Sequence, residues 1–155
     1  MIFLSLLTRR LKQGKTYEDF RKAWYHTVGY GTPGPGKLYT AINAFDPQEI
    51  IVIGIGEIKP EQDLMKMLRI EVKERLDRPL DAVIEPEMGR TFGIVVSEDD
   101  FSPSGKLEYK PASINGKETD FEEIAQGLAL FKKLIAMAPQ IRDEEKKGKG
   151  ESKKD

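Results

Sequence analysis

The chain has 155 residues, with 25 Lys and Arg against 26 Asp and Glu, one His and no Cys. That length fits one domain with an appendage, long enough to bury a core without staples. The balanced charge leaves no footprint for nucleic acid or a membrane surface, the absence of Cys excludes disulfide and thiolate chemistry, and a lone His excludes a multi-histidine metal site.

The opening "MIFLSLLTRRLKQ" places its basic residues after a short apolar run, the reverse of a secretory signal. No stretch approaches the ~20 apolar residues of a membrane span. A cytoplasmic protein is expected, with no membrane or nucleic-acid partner. Residues 2–9, "IFLSLLTR", are short, apolar and β-favouring, and predict a strand. Thr16 and Asp19 form a capping-box pair that opens a helix over roughly 17–29. At 100° per residue Tyr17, Phe20, Ala23, Trp24, Thr27 and Val28 share an arc of about 140°, the expected buried face. His26 lies about 60° outside it, flanked by Asp19, Lys22 and Tyr30.

"GTPGPGKL" (31–38) has the spacing of a phosphate-binding loop. Such a loop needs a strand leading in and a helix leading out, so that backbone N–H groups converge on phosphates. Here a helix enters and a strand leaves, Pro33 and Pro35 remove two donors, and Leu38 stands where Ser or Thr would hold magnesium. No nucleotide is expected. The loop reads instead as a helix stop, with Gly29 or Gly31 in a left-handed cap, and as a semi-rigid rim beside the first helix.

"KLYTAINAF" (37–45) and "EIIVIGIGEI" (49–58) predict a hairpin joined at "DPQ". A helix follows over 60–77, with Pro60 in its first turn and a stripe of Leu64, Met67, Leu68 and Val72. Residues 90–97, "RTFGIVVS", predict the fourth strand. Both faces of the sheet are apolar: Ile51, Ile53 and Ile55 on one, Ile50, Val52 and Ile58 on the other. Two helices cover one face, so a second copy of the chain or a later helix must cover the other. Gly54 and Gly56 share one face of a β-prone strand. Their bare backbone either leaves room for a ligand or receives an aromatic ring such as Trp24. A third helix is expected over 120–138, capped by Thr119 and Glu122 and burying Ile124, Leu128, Phe131, Leu134 and Ile135. "RDEEKKGKGESKKD" has no aliphatic or aromatic residue and predicts a disordered tail. The domain organisation is thus 1–100, an α/β domain; 101–140, an extension with a helix; and 141–155, a charged tail.

The β-α-β-β-α-β order over 1–100, with Phe20, Trp24 and His26 on the first helix, resembles the dimeric α/β-barrel superfamily. This group includes EthD-like proteins and antibiotic-biosynthesis-type monooxygenases. The resemblance implies an α+β, ferredoxin-like antiparallel sheet that pairs with a second copy into a barrel. It also implies a small-molecule pocket between sheet and helices, and in some relatives oxidation of aromatic compounds without metal or flavin. Residues 101–155 have no counterpart in the minimal barrel. Two functions fit. The preferred one is a non-catalytic homodimer binding a small hydrophobic or aromatic metabolite near Trp24, Tyr25, Tyr30, Tyr39, Gly54 and Gly56. The alternative is a monooxygenase or related enzyme that needs no cofactor, with His26 as acid/base. An RNA-recognition domain shares the strand order but stacks bases on aromatics, and "EIIVIGIGEI" has none.

Overall fold

The alternation of β and helical periods is realised in the computed structural model, which describes residues 1–151. Strand β1 (Ile2–Leu11) is followed by α1 (Tyr17–Trp24), β2 (Gly36–Asn43), β3 (Asp46–Glu57), α2 (Pro60–Asp77) and β4 (Ile84–Ile94). The four strands form one antiparallel sheet in the order β2-β3-β1-β4, so the fold is mixed α+β. Strands β1 and β2 therefore run parallel with β3 between them, and β3 and β4 run parallel with β1 between them. Each crossover helix spans one intervening strand.

Register decides which side chains meet the helices. Leu7 pairs with Val52 and with Arg90, and Phe3 with Gly56 and Ile94. Odd positions of β1 and even positions of β3 thus face the helices. Phe20 of α1 is buried there with Leu11, Ile50 and Val52, while Leu64 of α2 is buried with Phe3 and Ile58. Even positions of β1 and odd positions of β3 carry Leu4, Leu6, Ile51 and Ile53 to the opposite face, where they are only half-buried and Ile55 is exposed.

A two-stranded ladder, β5 (Ser113–Ile114) and β6 (Lys117–Glu118), precedes α3 (Phe121–Ala136) and α4 (Ala138–Glu151). Asn115 and Gly116 turn this hairpin with φ of 51° and 75°, and positive φ at both central residues is the type I′ geometry. Helix α3 does not cover the open sheet face. It lies on the helix side, where Phe131 meets Phe3 and Phe92, both at 5.2 Å between ring centroids. Gly127 permits the approach: a Cβ there would stand 2.7 Å from the Met1 sulfur and 2.9 Å from Ile94. The extension therefore shares the core of the first domain.

Several local expectations are corrected. Helix α1 ends at Trp24, not near 29, because later residues find tertiary partners. Arg75 donates to the carbonyls of Ala23 and Trp24, and Thr27 binds Glu74 through both its backbone N–H and its hydroxyl. Gly31 does adopt φ of 63°, but beyond the helix rather than as its cap. The hairpin turns at Ala44 and Phe45, with the Asn43 side-chain Oδ1 accepting from the Phe45 N–H, and Asp46 already begins β3. Strand β4 starts at Ile84, since Pro86 is tolerated on an edge strand. Asp120, not Thr119, caps α3 by accepting from the N–H groups of Glu122 and Glu123, while Thr119 donates to the Val96 carbonyl. The charged tail is helical through Glu151, and 152–155 lie outside the described residues. Ile141, only 2% exposed, anchors α4, and Arg69 of α2 pairs with Glu144 and Glu145. Among the described residues no helix is long and apolar enough to cross a membrane.

Candidate functional site

A cavity of about 210 Å³ lies between the sheet and helices α2 and α3. Its floor is the helix-facing side of β1, β3 and β4: Ser5, Leu7, Gly54, Gly56 and Phe92. The two glycines are what keep the floor low. A Cβ on Gly54 would stand 2.6 Å from the Ser5 hydroxyl and 2.9 Å from a Leu38 methyl. One on Gly56 would meet only the Gly36 Cα and the Pro35 carbonyl, at 3.4 and 3.7 Å, and would otherwise project toward the void. Trp24 is not within 4 Å of either position; it stacks on Phe20 at 5.8 Å instead. At Gly54 the bare backbone receives the Ser5 and Leu38 side chains, at Gly56 it borders the cavity, and at neither is the indole among its nearest neighbours.

The far wall is aromatic and aliphatic, with Phe3, Phe92 and Phe131 in mutual ring contact below Leu64 and Met67 of α2. Thr32, Gly36 and Lys37 from the glycine-rich segment supply the rim. The near wall is polar. Trp24, Tyr30, Glu71 and Arg90 line it. Glu71 gathers three partners: His26 Nε2 at 2.9 Å, the Tyr30 hydroxyl at 3.1 Å and Arg75 Nε at 3.5 Å. The hydrogen on His26 therefore sits on Nε2 and is donated to the carboxylate. Burial pushes the Glu71 carboxyl up, but the His26 hydrogen bond, the Arg75 charge and the Tyr30 hydroxyl together hold it below the usual range. Burial, then the Glu71 charge, push the Tyr30 phenol up, so Tyr30 stays neutral and donates.

The sequence candidates divide. Trp24, Tyr30, Gly54 and Gly56 converge on the cavity. Tyr25 does not: it is exposed, under the Arg21 guanidinium. Tyr39 points to the other face of the sheet, beside Ile2, Ile55 and Asn115. His26 is off the helix and behind the wall, with its ring 5.2 Å from Tyr30 and 6.1 Å from Trp24, reaching the cavity only through Glu71 and Tyr30. Asp19 and Lys22 are not its neighbours, because the helical spacing that put them there ends at Trp24. Sequence reasoning missed Glu71, Arg90, Phe92 and Phe131. Glu71 falls within the apolar stripe of α2, three residues after Leu68 and four after Met67, so a carboxylate on the buried face was the available signal, but nothing in its spacing ties it to His26.

No protein-family model matches the sequence, and neither a curated protein nor a solved structure is significantly similar to it.

Proposed function

We propose that the chain is a dimeric α/β barrel of ferredoxin-like strand order that binds a small hydrophobic or aromatic molecule, without catalysis, between sheet and helices. The observation that carries this reading is the cavity itself: a void of about 210 Å³ with a glycine floor, aromatic walls and a few placed polar groups. Such apolar space with convergent polar groups is the usual form of a small-molecule site. Its volume exceeds the roughly 150 Å³ known to admit benzene, so one- or two-ring compounds fit. The absence of Cys suits a reducing compartment such as the cytoplasm.

The test uses 2-naphthol as the probe and the single tryptophan as the reporter, since Trp24 lines the cavity. Saturable quenching of Trp24 is expected, abolished in Gly56→Val with the circular dichroism unchanged. Absence of saturable quenching at millimolar probe, or binding indifferent to Gly56→Val, overturns the reading. The second reading, oxidation of an aromatic compound without cofactor, has one observation in its favour: His26 and Tyr30 meet on a wall carboxylate. Oxygen uptake with 2-naphthol that His26→Asn removes would turn the assignment to an enzyme.

A further inference from the structure

The near end of the cavity holds more positive charge than its own residues neutralise. Arg90, on edge strand β4, lines the cavity with its guanidinium 5.5 Å above the Phe92 ring. Cross-strand from it is Leu7, and two residues further along the same face of β1 is Arg9. Arg9 is only 8% exposed. Its guanidinium makes one hydrogen bond, to the Thr8 carbonyl, and among the described residues no carboxylate lies within ion-pairing distance of it. Arg75 of α2 adds a third guanidinium, whose buried Nε has no hydrogen-bond partner. Among the described residues the acidic group on this wall is Glu71, already shared among His26, Tyr30 and Arg75. Glu74, one turn along α2, is taken by Thr27 and Arg78.

Three guanidiniums around one carboxylate are a poor arrangement for an empty site. A buried cation is costly unless it is paired and hydrogen-bonded. Arg9 shows the cost: burial, then repulsion from Arg90, bring it down to about 10. Glu71 relieves this only in part and Arg75 adds to it. An anion arriving at Arg90 would meet a guanidinium with no hydrogen-bond or ion-pair partner among the described residues, on a planar fork that matches a carboxylate, with the Arg9 charge behind it.

We propose that the cavity takes an apolar carboxylic acid, its carboxylate held by Arg90 with the Arg9 charge behind it and its ring or chain lying against Phe92 and Phe131. This deepens the binding reading above and rests on it. Arg90 is the specificity-determining contact because it lines the void and is exposed enough to be replaced without disturbing the core. Arg9 supports it from beneath.

The experiment compares 2-naphthoate, 2-naphthol and 2-naphthyl phosphate by Trp24 quenching and by calorimetry. The ring is constant and only the head group changes. Naphthoate is expected to bind about 10- to 100-fold tighter than naphthol, the range of a charge-assisted hydrogen bond gained in a partly buried site. Arg90→Gln is expected to bring the ratio of naphthoate to naphthol affinity close to one, and Arg90→Lys to keep part of the preference. Equal binding of naphthoate and naphthol overturns the carboxylate assignment but leaves the apolar site standing. So does a preference undiminished in Arg90→Gln. Phosphate binding tighter than naphthoate would also overturn it. Failure of all three probes to bind instead removes the underlying reading.

Discussion

Thr27, Glu74 and Arg78 show how one side chain stops a helix and sets an acid limit. The Glu74 carboxylate accepts from the Thr27 hydroxyl at 2.6 Å and backbone N–H at 3.2 Å, and pairs with Arg78. The Thr27 hydroxyl, outweighing the upward push of burial, and then Arg78 hold its carboxyl down at about 2. A carboxyl depressed on folding contributes stability above its unfolded value, and that contribution is lost as pH falls through the folded one. Urea midpoints should therefore be flat near neutrality and fall between about pH 4.5 and pH 2. Thr27→Ala should lower stability by about 1 kcal/mol at neutral pH, the scale of a lost hydrogen bond. It should also make the acid decline smaller and end it at higher pH, since the folded value rises toward the unfolded one; an unchanged acid profile would mean that Thr27 does not hold Glu74. This contact also explains what stayed hidden in the sequence. His26 was placed by helical geometry, yet the chain had already left the helix to reach Glu74. Once off the helix, His26 meets Glu71, far away along the chain, and no local pattern encodes that pairing.

At the scale of elements, periodicity served where a segment packs by its own stripe and failed where a single anchor decides. Helix α2 runs over Pro60–Asp77 as its stripe and Pro60 indicate, and the Thr16–Asp19 capping box opens α1. Helix α4 was obscured because its polar run was read without Ile141, its one buried residue among those described. The type I′ hairpin at Asn115–Gly116 did carry a legible signal, since Asn-Gly is the preferred pair for that turn. The glycine floor is legible as an alternative; in the structure Trp24 stacks on Phe20, Ser5 and Leu38 pack on Gly54, and Gly56 borders the cavity. Ile141→Ala should cost roughly 2–4 kcal/mol, typical of a large-to-small change in a core. Ile141→Asp should release α4 alone: amide exchange along 138–151 should rise sharply while the β1 and β3 amides stay protected. Exchange that rises equally everywhere would show that α4 is integral to the core and not docked on it.

The whole molecule is lopsided, and that asymmetry carries the proposed dimer. Helices α1, α2 and α3 all lie on one face of the sheet. Among the described residues the other face presents Leu4, Leu6, Ile51, Ile53 and Ile55 with no helix over them, and the hairpin tip at Asn115 reaches its corner, beside Ile2 and Tyr39. At its ends stand charged residues, Arg10 and Glu49 at one, Lys37 and Glu57 at the other. An apolar centre with a polar rim is the anatomy of a protein interface. Burying even ~600 Å² of apolar area there would contribute roughly 15 kcal/mol at about 25 cal/mol per Å². Association costs an estimated 4–15 kcal/mol, so sheet-on-sheet pairing of two copies can be stable. With α3 on the helix side, the rival cover within the chain is gone. Deleting the extension would not test this pairing, because it would uncover Phe3 and Phe92. Ile53→Asp is cleaner, since Ile53 sits mid-face between Leu6 on β1 and Tyr39 on β2 and takes no part in the cavity. Sedimentation velocity at micromolar concentration should give a dimer for the natural chain and a monomer for Ile53→Asp, with identical circular dichroism and undiminished 2-naphthol binding. A natural chain that sediments as a monomer, or a variant that remains a dimer, would remove the barrel arrangement while leaving the cavity, which one copy encloses by itself, untouched.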